Sequence, residues 1–264
     1  MNAYADRQRE ITAIALGVTA SDGFALAGSG AIREHGLIDR PTEDIDLFTV
    51  RQASQQFDDA VTRTIAALCS NGYIVADKIR ADGFARLQVQ SSDGYETEID
   101  LGIDWRSTPP VHLSIGNVLA EQDAVGSKVA ALFSRGEARD YLDVDAIRRN
   151  GSYSDRDLID LAEQSDQGFD LDMFHDVLLR VQLLTSEEIE PYDLDVTELD
   201  SIKTRLLSFA DDIDTGALSE TKRRSTNTHN TRSKLSKILD ERAAAKFDDS
   251  KQIPCKSVPR AERR

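Results

Sequence analysis

Apolar and polar positions alternate along the chain in two clear periods. In "ADRQREITAIALGVTASDG" (5–23), Ile11, Ile14, Ala15 and Val18 recur at helical spacing, and Gly23 closes the segment. "FALAG" (24–28) is a short apolar run ended by glycine and predicts a buried strand. "AIREHG" (31–36) predicts one or two helical turns closed by Gly36, and "DIDLFTV" (44–50) predicts a second strand. In "SQQFDDAVTRTIAALCSNG" (54–72), Ser54 is a capping residue, Phe57, Val61, Ile65 and Leu68 share a face, and "NG" ends the helix. "YIVADKI" (73–79), "ARLQVQ" (85–90) and "YETEIDLGI" (95–103) read as strands, the last two joined by an "SSDG" hairpin turn. From residue 120 the period becomes helical: 120–136, 137–151, 154–165, 170–184 and 195–213, several opening on Ser or Asp in cap position. A late helix is expected at 231–247 between stretches without periodicity.

This order predicts an α/β (α+β) fold. A mixed-sheet domain is expected over 1–115, a helical domain over 116–215 and a basic, flexible tail over 216–264. Composition changes that picture in one respect. The chain of 264 residues has a net charge of −15, but residues 221–264 hold 13 Lys/Arg against 5 Asp/Glu. The tail is therefore +8 and residues 1–220 are −23. Such asymmetry marks either a binding arm or a solvated tail. No apolar run approaches the roughly 18–20 residues that span a bilayer. The N-terminus has no basic region followed by an apolar one. Cys69 and Cys255 offer neither metal-ligand spacing nor a disulfide framework, so a reducing cytoplasm is the simplest setting.

The candidate chemistry lies in "GSGAIREHGLIDRPTEDIDLF" (28–48). Residues i and i+2 of a strand point to one face, so Asp44 and Asp46 project together while Ile45 and Leu47 face a core. Paired carboxylates raise each other's pKa unless a cation neutralises them, and Mg²⁺ prefers carboxylate and phosphate oxygen. Alone, that spacing is a weak signal. Two neighbours strengthen it. Gly28 and Gly30 admit close backbone approach to a ligand, and Ser29 adds a hydroxyl at a helix start, together a cradle for a triphosphate. In "ETEIDLG", Glu96, Glu98 and Asp100 share a strand face and offer a third carboxylate for a two-metal site.

With these residues the chain resembles the DNA polymerase β-like nucleotidyltransferase superfamily, and more closely the AbiEii/AbiGii (MenT-like) toxin family. The resemblance covers "FALAGSGAIREHGLIDRPTEDIDLF" and "KVAALFSRGEARDYLDVDAI" (128–147), together roughly residues 20–150. It departs at the turn, where some members have Gly-Gly-Thr and this chain has Gly28-Ser29-Gly30. The resemblance implies a nucleotidyltransferase-like sheet domain followed by a helical domain that completes the site. It implies Asp44, Asp46 and Asp100 as metal ligands, with Glu98 as the alternate third acid, and Mg²⁺ or Mn²⁺ as the ion. It implies Lys128 as a contact to the NTP or an acid toward pyrophosphate, and Gly28, Ser29, Gly30, Arg135 and Arg139 as nucleotide-binding. Asp143 is included among the nucleotide-binding residues, and it, or Asp140, would position Lys128 or help with the acceptor. Lys128 and Arg135 are seven residues apart, which sets them on nearly one helix face. His35, Arg40, Thr42, Asp104 and Trp105 are weaker candidates: His35 reads as a helix-end packing residue, and Arg40 as facing phosphate or solvent.

The expected activity is transfer of NMP from an NTP to RNA, with the tRNA 3′ end as the natural acceptor, or to a protein, by the toxin of a type IV-like toxin–antitoxin or phage abortive-infection system that has a cognate antitoxin or repressor and no membrane partner. An acidic body of −23 repels RNA, so basic groups near the site and the tail would have to supply the attraction. The alternatives are a small-molecule nucleotidyltransferase of the antibiotic-modifying kind, or a non-catalytic binder of a nucleotide or partner.

Overall fold

A computed structural model describes residues 3–51 and 56–214. Helix α1 (Ala3–Thr19) leads into the two-residue strand β1 (Ala25–Leu26), then α2 (Gly28–Glu34), β2 (Asp44–Thr49) and α3 (Phe57–Ser70). Strands β3 (Ile74–Ala81), β4 (Phe84–Gln90) and β5 (Glu96–Ile103) form a meander, and β6 (Val111–Leu113) and β7 (Gly116–Val118) a second hairpin. Helices α4 (Glu121–Ser134), α5 (Ala138–Asn150), α6 (Asp155–Ser165), α7 (Leu171–Leu179), α8 (Ser186–Ile189) and α9 (Val196–Asp214) follow.

The seven strands lie in the order β3-β4-β5-β2-β1-β7-β6. The sheet is mixed: β2 runs parallel to β5 and β1 parallel to β7, while β1 and β2 are antiparallel. Strand alternation separates two faces. Ile45, Leu47, Ile99, Leu101, Ala85, Leu87 and Val89 are fully buried on one, while Asp44, Asp46, Glu98, Asp100 and Arg86 share the other. Helices α1 and α3 pack together and against strands β1, β2, β3 and β7. One apolar cluster runs from Ile11 through the strands to Leu206, Phe209 and Ile213 of α9, so the helices after residue 120 share the core of the sheet.

The structure departs from the sequence pattern in several places. The strand expected at 24–28 has only two residues, because Gly28 (φ 56°) leaves the extended region and opens α2 three residues before the expected start. The β6–β7 hairpin, unforeseen, carries the sheet to Val118; three-residue strands are too short to show a period. Helix α8 was likewise unforeseen, and its four residues are held by a capping box between Thr185 and Glu188. The helix expected at 170–184 tightens to a 3₁₀ turn at Arg180–Leu183. Cys255 lies outside the described residues. The Ser54 cap, the helix at 231–247 and the basic tail also lie outside them. No helix among the described residues is long and apolar enough to cross a membrane.

Candidate active site

Three elements set the acids. In the parallel pair β2–β5, Asp44 lies opposite Glu98 and Asp46 opposite Asp100. Gly28 brings the start of α2 against them: a Cβ there would stand 1.9 Å from Asp46 Oδ2, so only glycine leaves room for the carboxylate. Asp44 is 3.7 Å from Arg139 Nη1. Asp100, 4% exposed, accepts a two-pronged hydrogen bond from Arg86, with Nε and Nη2 each at 2.7 Å. Arg86 Nη1 is 3.3 Å from Glu98. Asp46 forms no ion pair with any described residue. Burial, together with the charges of Asp44 and Asp100, pushes its carboxyl up to about 7, against the opposing pull of Lys128 and Arg135.

A second cluster faces the first. Lys128, 5% exposed on α4, lies 2.9 Å from Asp143 Oδ2 and 3.5 Å from Asp140 Oδ1. It also donates to the Ser29 hydroxyl at 3.0 Å. Ser29 in turn donates to Asp143 at 2.9 Å. Asp140 and Asp143 are three residues apart on α5, and this spacing turns both toward Lys128. Asp140 occupies the N3 position of a capping box with Glu137, which fixes its place at the helix start. Burial alone would raise both acids. For Asp140 the Arg135 hydrogen bonds and the Lys128 charge outweigh it, and for Asp143 Lys128 and Arg40 do, so both sit below the usual carboxylate range.

The structure brings Gly28, Ser29, Asp44, Asp46, Asp100, Lys128, Asp140 and Asp143 to one end of the sheet. Three expectations change. Arg135 is not on the face of α4; it lies just past the helix (φ −125°) and grips Asp140 with Nε at 2.8 Å and Nη2 at 2.9 Å. Ser29 is engaged by Lys128, Asp143 and Arg40, so its hydroxyl serves the protein's own network. Arg40 faces neither solvent nor the acid pair of β2: Nε and Nη2 bind Asp143 at 2.6 and 2.8 Å, and its guanidinium lies 5.1 Å from the Tyr192 ring centre. His35 binds the Leu119 carbonyl at 2.8 Å, as a packing residue should. Thr42 is buried against Gln8. Asp104 follows β5, and Trp105 is 55% exposed.

Sequence reasoning missed Arg86, Glu43 and Tyr192. The Tyr192 hydroxyl donates to Glu43 at 2.8 Å and ties the loop before β2 to the helical half. Nothing local marks a residue that acts 149 positions away. Among the described residues, no group of three or more His, Cys, Asp and Glu is arranged to hold a metal ion as the side chains stand. The donor chemistry nevertheless fits a hard cation: Asp44 and Asp46 share a face, Asp46 has no ion-pair partner among the described residues, and Asp100 stands beside it with both oxygens on Arg86.

In fold the chain is similar to two solved structures. JHP933 from Helicobacter pylori matches over 92% of this chain and 99% of its own, with a TM-score of 0.55 and 18% identity. MenT4, a nucleotidyltransferase toxin from Mycobacterium tuberculosis H37Rv, matches over 84% and 90%, with a TM-score of 0.53 and 14% identity. At such identities the likeness is one of fold alone. Family membership follows from the sequence: the model described as "Nucleotidyl transferase AbiEii toxin, Type IV TA system" matches residues 16–219, and the chain belongs to that family. It is thus a nucleotidyltransferase of the toxin–antitoxin kind. No match was found among curated proteins.

Proposed function

We propose that this toxin moves NMP from an NTP to RNA, with the 3′ end of tRNA as acceptor, in a reaction that depends on Mg²⁺ or Mn²⁺. The observation that carries this reading is Asp46: a carboxylate with no ion-pair partner among the described residues, beside Asp44 and Asp100 and within electrostatic reach of Lys128. Asp44, Asp46 and Asp100 would hold the cation, which when bound supplies charge neutralisation and Lewis acidity toward phosphate oxygen. The acceptor hydroxyl attacks the α-phosphorus; a new P–O bond forms and the bond to pyrophosphate breaks. Gly28, without a side chain, lets the backbone approach the triphosphate beside Asp46. The Ser29 backbone extends the same cradle, while Gly30 is buried against Leu26, whose side chain a Cβ would meet at 3.0 Å. Lys128 provides positive charge, and a proton, toward the departing pyrophosphate. Arg135 and Arg139 line the same side, and Asp143 and Asp140 hold Lys128 in place.

The antitoxin is expected to be a protein encoded beside this chain. The test is incubation with Mg²⁺, each labelled NTP and total tRNA. Label in RNA that disappears with Asp46→Asn is the expected result. The charge of −23 over residues 1–220 favours a second acceptor class, a small cationic molecule. Label on an aminoglycoside and none on RNA would replace the first reading with that one.

A further inference from the structure

Arg86 is the cation closest to the acid face from the β4 side. It stands directly opposite Asp100 in the β4–β5 register. Its fork takes both Asp100 oxygens at 2.7 Å, and its remaining nitrogen reaches Glu98 at 3.3 Å. The other cations near these acids carry acids of their own: Lys128 pairs with Asp143 and Asp140, Arg135 with Asp140, and Arg139 with Glu137. Among the described residues Arg86 has no such second commitment; its partners are the proposed third ligand and that ligand's alternate. A guanidinium fork and a divalent ion seek the same carboxylate oxygens, and they repel each other at close range. The Arg86 side chain is 28% exposed and Glu98 42%, so the guanidinium can shift onto Glu98 while Asp100 turns to a metal ion.

Resting on the reading above, we propose that Arg86 is a tethered counter-ion that occupies Asp100 and competes with a divalent cation for it. Asp44 and Asp46 form the entry site, and Asp100 is recruited only as Arg86 lets go. Arg86 is thus a positioning residue that sets the cation affinity of the site, and it keeps three clustered acids tolerable when no cation is bound.

Mn²⁺ binding to the full chain, followed by the electron paramagnetic resonance signal of free Mn²⁺, tests this without any turnover. Arg86→Gln is expected to bind Mn²⁺ about tenfold more tightly than the unaltered chain, the scale on which neighbours of metal ligands act. Arg86→Lys keeps the charge but loses the fork, and is expected to fall between the two. Thermal melting in chelator confirms that each variant is folded, and Arg86→Lys serves if Arg86→Gln is not. Unchanged or weaker binding in the folded variants overturns the proposal, weaker binding meaning that Arg86 orients Asp100 for the metal. Asp46→Asn separates the two readings. If the unaltered chain binds Mn²⁺ and Asp46→Asn does not, the metal site stands whatever Arg86 does. If Asp46→Asn changes nothing, the metal site itself fails, and this inference with it.

Discussion

Asp46 sits between two acids that have cations, Asp44 beside Arg139 and Asp100 on Arg86, and has none itself among the described residues. Its carboxyl is pushed from an ordinary 3.8 to about 7 by burial and by those two neighbours. A carboxyl raised on folding binds its proton more readily in the native state than in the unfolded one. Its ionisation therefore costs stability, a penalty absent below about pH 4, growing through pH 4–7 and complete above pH 7. Asp46→Asn removes it. In chelator at pH 8 that variant should unfold about 1–3 kcal/mol harder than the unaltered chain, after allowance for partial solvent screening. The gap should close toward pH 4, which denaturant titrations across that range would measure; a constant gap would mean that Asp46 is not the group titrating. Lys128 works in the opposite sense, because Asp140 and Asp143 are wholly buried around it. Lys128→Met should abolish nucleotide transfer and lower stability by about 2–4 kcal/mol, below the full cost of an uncompensated buried acid because Arg135 and Arg40 remain. Melting curves and labelled-NTP assays on the same preparation check both halves. The paired aspartates were legible because a strand has period two. Arg40 was not, since its partner Asp143 is 103 residues away.

At the scale of elements, glycines decide how closely the parts approach. Gly28 combines φ 56° with contact against Asp46, so Gly28→Ala is strained twice. It is expected to cost about 1–3 kcal/mol and to remove activity even where the protein stays folded. Circular dichroism melting beside the transfer assay would show both effects, and normal turnover would mean that Asp46 can move without consequence. Gly126 plays a similar part where α4 packs on α6: a Cβ would meet Ser165 Oγ at 2.4 Å and the Leu161 carbonyl oxygen at 2.6 Å. That close crossing seats the helix that carries Lys128. Register matters as much. The hairpin between β4 and β5 was expected as a tight "SSDG" turn, which would pair Gln90 with Tyr95. The structure pairs Gln90 with Glu96 and closes the loop with Ser91 N–H donating to the Tyr95 carbonyl at 2.9 Å. Gly94, at φ 88°, absorbs the extra residue. That one-residue shift places Arg86 opposite Asp100 rather than Ile99. The sequence pattern identified both strands and their polar faces, yet not which acid the arginine would meet.

For the molecule as a whole, the two halves are held together at the site itself. Arg40 on the loop before β2 binds Asp143 on α5, Tyr192 near α9 binds Glu43, and Lys128 on α4 reaches Ser29 on α2. Farther from the site, Arg205 of α9 grips Asp145 of α5 at 2.7 and 2.8 Å. Expression of the unaltered chain without its antitoxin should slow growth, and Asp46→Asn expressed to the same level should not. Growth curves beside immunoblots would decide this; equal slowing by both would place the toxicity outside the acid cluster. The alternation of the strands, the helical periods after residue 120 and the chemistry of an aspartate pair after a glycine turn follow from the sequence, because each depends on residues only a few positions apart. Which cation serves which acid was left to the tertiary structure. That choice depends on register, on the crossing of α4 and α6, and on pairs such as Ser29–Asp143, 114 residues apart, which only the folded core brings within hydrogen-bonding reach.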